Sequence, residues 1–189
     1  MVAVTKDTIL LKPSYSIPLL IVVIVLSTYV QFGNVLNLAI DNEIVSQDIM
    51  STVENSKGGL LFLISFVFQL FIMFPYLILE TITVYFAAFM AYKQRWELRT
   101  FFFTSVEATI VTMTLNLILS FTILSLFDNF NLQDLIIIYL VINLLKPILV
   151  YYLLTYKKIL HFKLSGLLMI YVFTFIVIFS PGLIFLVLL

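Results

Sequence analysis

GGLLFLISFVFQLFIMFPYLILETITVYFAAFMAY, residues 58–92, holds a single Asp, Glu, Lys or Arg, Glu80, in 35 positions. Wound as a helix, this run would extend about 52 Å at 1.5 Å per residue. The hydrocarbon core of a bilayer is only about 30 Å thick. The run therefore predicts a spanning helix that projects from the bilayer, tilts or bends, with Pro75 as the bending point.

The rest of the chain has the same character. Of 189 residues, 63% are hydrophobic and 11% charged, with a mean hydropathy of +1.19, whereas a soluble domain is about 25% charged. An integral membrane protein is expected. In lipid every backbone polar group needs an internal partner, which leaves helices or a closed barrel. Barrel strands alternate in polarity over about ten residues, and these apolar runs are continuous, so the expected fold class is all-α.

Stretches free of Asp, Glu, Lys and Arg place the other spans. They give spans at about 15–32, 59–92, 100–127, 135–156 and 164–188, interrupted only by Glu80, Glu107 and Lys146. A single domain over 1–189 follows, a bundle of five transmembrane helices. The first span follows two lysines like a signal peptide, but STYVQFGN after it has no small-x-small cleavage site. Lysine and arginine favour the cytoplasmic side, and here they fall on alternate connections. Lys6 and Lys12 precede the first span; Lys93, Arg95 and Arg99 follow the second; Lys157, Lys158 and Lys163 follow the fourth. The opposite connections hold Asp41, Glu43, Asp48, Glu54, Asp128 and Asp134, with Lys57 the only base. The N-terminus is thus expected inside and the C-terminus outside.

Between the first two spans, residues 35–55 carry Leu36, Ile40, Ile44, Val45, Ile49 and Val53 at spacings of mostly four, with acids between them. This pattern predicts an amphipathic helix at the outer surface, acting more as a packed lid than as a lysine-rich membrane anchor.

Three ionisable groups lie within the spans, and each costs about 2.5–3.5 kcal/mol at the bilayer centre. Lys146 and Glu80 fall near the midplane, and Glu107 nearer the cytoplasmic side. Each sits on a stripe of helical spacing: Gln69, Met73, Tyr76, Glu80, Thr83 and Ala87 on the second span; Tyr139, Asn143 and Lys146 on the fourth; Thr104, Glu107, Val111 and Thr114 on the third. Such stripes face other helices. The expected intramembrane cluster is Glu80, Lys146, Glu107, Asn143, Tyr76 and Gln69, in which Glu80 neutralises Lys146 and Glu107 is a second candidate partner. Pro147 withholds the backbone donor that the Asn143 carbonyl would otherwise take. An acid–lysine pair can fix helix register, or relay protons or bind an ion.

Other chemistry has little support. The chain has no cysteine, and its one histidine, His161, lies among Lys157, Lys158 and Lys163 and reads as a solvated loop residue. No metal site, cofactor or catalytic residue is expected. HExxH, GxSxG and phosphate-binding loops are absent, and a net charge of zero without a basic block argues against a nucleic-acid partner.

The stretch KPSYSIPLLIVVIVLS, with Pro13-Ser14-Tyr15 and Pro18, opens a layout of five spans whose second is interrupted by proline and ends in a short basic loop. This resembles the Yip family, the Rab-interacting type of five-span membrane protein, and in particular its small bacterial members. The resemblance implies an adaptor or accessory protein that binds other integral membrane proteins or itself, including subunits of an ABC-type export complex, and it supplies no catalytic residue. The eukaryotic branch's cytosolic motifs are not evident, and the chain has no N-x-Ser/Thr sequon. The first argues against a GTPase partner; the second, with no long cytosolic N-terminal domain expected, points to a bacterial cytoplasmic membrane. The competing expectation is a small transporter or channel built on Glu80, Lys146 and Glu107 beside the prolines of interrupted helices.

Overall fold

The computed structural model describes residues 13–41, 58–126 and 132–179, and among them every regular element is helical. Five helices follow one another: α1 (Pro13–Asp41), α2 (Gly58–Tyr92), α3 (Leu98–Leu126), α4 (Leu132–Tyr156) and α5 (Leu164–Thr174), the last continued by a wider π turn at Phe175–Phe179. Two helical stretches, Phe62–Tyr92 and Leu98–Thr122, are long and apolar enough to cross a membrane. Ser14–Val30, Leu140–Tyr156 and Leu164–Val177 are shorter apolar helices.

Prolines 18, 75 and 147 lie inside α1, α2 and α4, and the helical winding continues through each. The first helix also runs unbroken to Asp41, so the start of the expected outer amphipathic segment is a continuation of α1. Residues 42–55 of that segment lie outside the described residues, as do Pro181 and the end of the fifth expected span.

Helix ends are set by local chemistry. After α2, Lys93 adopts a left-handed conformation with φ 54°, its N–H bonded to the Phe89 carbonyl at 2.8 Å. After α4, Lys158 does the same with φ 56°. There the Lys158 N–H reaches the Thr155 carbonyl and the Ile159 N–H reaches the Leu154 carbonyl, both at 3.0 Å. This is a Schellman stop, a geometry that usually employs glycine because a Cβ crowds the left-handed region.

Two apolar clusters hold the helices together. One joins Leu20, Val23 and Ile24 of α1 to Leu77 of α2 and to Val106, Ile110 and Met113 of α3. The other joins Val84, Ala87 and Ala88 of α2 to Phe101 and Ala108 of α3, Val150 and Leu154 of α4, Leu160 of the following turn and Ile170 of α5. Helices α2 and α3 contribute to both and form the middle of the bundle.

Close approach depends on small residues. A Cβ on Gly166 of α5 would stand 2.5 Å from the Tyr92 hydroxyl. Beside the apolar core residues of α3, Thr104, Ser105, Ala108, Thr109, Thr112 and Asn116 are also buried. Its threonines answer their own hydroxyls: Thr104, Thr109 and Thr112 each donate to the carbonyl four residues earlier, at 2.8–3.0 Å. Thr109 and Thr112 behave as small packing residues whose donors are satisfied within the helix, whereas the Thr104 hydroxyl also faces a neighbouring side chain.

The opposite faces are apolar and uncovered. On α2, Leu63, Val67, Phe68, Phe71, Ile78, Ile82, Phe86 and Met90 are exposed, Phe71 to 76%.

Candidate functional site: two buried ion pairs carried by one helix

Lys146 of α4 donates to Glu80 Oε2 of α2 at 2.7 Å, with both side chains almost wholly buried. Its ammonium also lies 4.8 Å from the centre of the Tyr76 ring. Tyr76 precedes Glu80 by one helical turn, so α2 offers the lysine a carboxylate and a π face from the same stripe. Met73 and Gln69 continue the stripe, both half-buried, and Gln69 Oε1 accepts a hydrogen bond from Thr28 of α1. Asn143, one turn from Lys146, is half-buried. The Tyr139 side chain lies outside the described residues.

Glu107 does not join this pair. Its Oε2 stands 2.7 Å from Lys157 Nζ, and both side chains are buried. Lys157 also donates to Thr104 Oγ1 at 3.3 Å. Lys157, expected as a base of the connection after the fourth span, does follow the last residue of α4, but its side chain turns back into the bundle and is buried. The expected α3 stripe also needs correction, since Val111 and Thr114 face outward while Ser105, Ala108, Thr112 and Asn116 face inward.

The two sites are built alike. Each lysine comes from α4 or its end, and each receives a carboxylate plus a second group about one turn earlier on the acid's own helix. Lys146 and Lys157 are eleven positions apart, about 16 Å of helix and close to three full turns, so they lie along one side of α4. One lysine ties α4 to α2; the other ties it to α3. In a low-dielectric interior a neutralised pair of this kind is tolerated, whereas a lone member of it is not.

Several buried polar atoms have no hydrogen-bond partner among the described residues: Glu80 Oε1, both Glu107 carboxylate oxygens, Ser105 Oγ, Asn116 Oδ1 and Thr174 Oγ1. For Glu107 Oε2 the lysine lies at ion-pair distance without hydrogen-bond alignment. No three of His, Cys, Asp and Glu converge as a metal site among the described residues. His161 is exposed, and its carbonyl accepts a hydrogen bond from Tyr92.

A further polar knot, not anticipated from the sequence, closes the end of the bundle where α2 and α4 finish. Tyr92 donates to the His161 carbonyl at 2.6 Å and lies 3.0 Å from the Tyr151 hydroxyl. Tyr151 accepts from the Lys163 N–H at 2.7 Å and faces the Lys163 carbonyl at 2.9 Å. The Lys163 ammonium returns to the Ala91 carbonyl at 3.2 Å. Two tyrosines thus position the turn that launches α5. The sequence signal was the pair of tyrosines at the ends of α2 and α4, which resembles ordinary interfacial aromatic usage.

Compared with protein-family models, curated proteins and solved structures, the chain matches none.

Proposed function

We propose that this chain is a five-span helical protein of a cell membrane, a bacterial cytoplasmic membrane, with its N-terminus inside and its C-terminus outside, and that it serves as a Yip-type adaptor for other integral membrane proteins. Membrane immersion is supported by the exposed apolar face of α2, which water would not tolerate at such extent. Orientation rests on the alternation of basic and acidic connections.

One observation carries the adaptor reading: among the described residues, each buried carboxylate already has a lysine at 2.7 Å. The interior charges are spent on joining helices, and the outward faces remain for partners. Purification of the tagged protein in mild detergent tests this. A stoichiometric permease or ATPase partner is the expected result; a partner-free protein that passes protons or ions in liposomes would overturn it.

A second reading has its own support. Glu80 Oε1, Glu107 Oε1 and Asn116 Oδ1 are buried acceptors without a partner among the described residues, and such groups in a membrane can mark an ion path. In that reading the protein is a small transporter, and purified protein alone would support flux that Glu80→Gln abolishes.

A further inference from the structure

Between α2 and the first turn of α3 lies a groove of about 210 Å³, lined by Ile78, Thr81, Ile82, Leu98, Arg99 and Phe102. Its walls are apolar in effect, because the Thr81 hydroxyl is already bonded to the Leu77 carbonyl at 2.7 Å. The groove opens outward: Ile78, Ile82 and Leu98 are each about half exposed. Arg99, itself exposed, is the one charged residue in the lining. The central carbon of its guanidinium lies 5.6 Å from the centre of the Phe103 ring, and among the described residues no carboxylate stands within ion-pair distance of it. Its N–H groups are thus open to contact with an anion. The adjoining segment is also cationic, with exposed Lys93 and Arg95 against one acid, Glu97.

We infer that this groove seats an acyl chain of an anionic phospholipid whose phosphate rests on Arg99. The inference depends on the proposed membrane location, and within that setting the charge selects the occupant. An uncharged or zwitterionic headgroup leaves the guanidinium without a net counter-charge, and a free phosphate leaves the apolar walls empty. One basic side chain beside an anionic lipid surface favours binding by about fivefold, which sets the preference the groove should show.

The test uses full-length protein reconstituted in bilayers of mixed phosphatidylglycerol and phosphatidylcholine, released into mild detergent and weighed intact by native mass spectrometry. Phosphatidylglycerol should be retained about fivefold over phosphatidylcholine. Arg99→Gln should remove the preference, and Ile82→Phe, which fills the groove, should lower retention of both lipids. Should the glutamine variant aggregate, Arg99→Met removes the charge in another way and should likewise abolish the preference, while Arg99→Lys, which keeps the charge, should retain it. Equal retention of the two lipids by the unmodified protein, or an undiminished preference in Arg99→Gln or Arg99→Met, would overturn the proposal. Displacement by millimolar glycerol phosphate would also overturn it, as it would reveal an anion site that needs no acyl chain. Carbonate extraction separates the two levels of failure. Protein that stays in the membrane without lipid preference sinks only the groove assignment, whereas protein released to the supernatant sinks the membrane reading with it.

Discussion

Lys146 and Lys157 differ in how visible their roles are. Lys146 stands in the middle of an apolar run, so its need for a carboxylate could be read from sequence, and Glu80 at similar depth was the natural partner. Lys157 adjoins Lys158 just past the end of α4 and reads as loop charge. Its spacing of eleven from Lys146, which returns to the same side of a helix, was the usable sign. Double-mutant cycles separate the pairs. Glu80→Gln and Lys146→Met should each cost about 3–5 kcal/mol, and the double mutant should regain much of the loss in detergent thermal melts. Glu107→Gln with Lys157→Met should behave likewise. Glu107→Gln with Lys146→Met should be additive, since they share no partner; a coupled result there would mean a single four-membered cluster. Backbone strain gives a second residue-scale expectation. Lys158 is exposed and left-handed, so Lys158→Gly should stabilise by about 1 kcal/mol, seen as a raised melting temperature, while the same change at Arg95 should not.

At the scale of elements, α5 packs tightly against α2 at Gly166. Gly166→Ala places a methyl against the Tyr92 hydroxyl; moving that ring strains the bond to the His161 carbonyl and the approach to Tyr151. A loss of about 1–3 kcal/mol is expected, measurable as a lower melting temperature. Gly59→Ala, where a Cβ meets nothing within 4 Å, is the matched control; equal losses would remove the packing argument. Element existence was legible because apolar runs bounded by charge define helices without ambiguity. Orientation of faces was less so. On α3 both sides carry threonine, and the hydroxyls bond to their own helix, so polarity did not distinguish the inner side from the outer. Small size did: Ser105, Ala108 and Thr112 face the neighbours, while Val111 and Leu115 do not.

For the whole molecule, the proposed five-span arrangement makes a specific expectation. A reporter fused after Leu189 should be active only outside, and one inserted at Gln94 only inside. Cytoplasmic activity of the first would mean that the number of crossings is wrong. The placement of one lysine on α4 and the other just past its end also bears on how such a protein is made. Entering a bilayer by itself, α4 would carry Lys146 into hydrocarbon unanswered, at about 2.5–3.5 kcal/mol. Glu80 and Glu107 lie on α2 and α3, which precede it in the chain, so their carboxylates are in place before the lysines emerge from the ribosome. Chain order thus makes the earlier hairpin the receptor for the later helix, and α4 would leave the translocon most easily by sliding directly onto the partners that precede it.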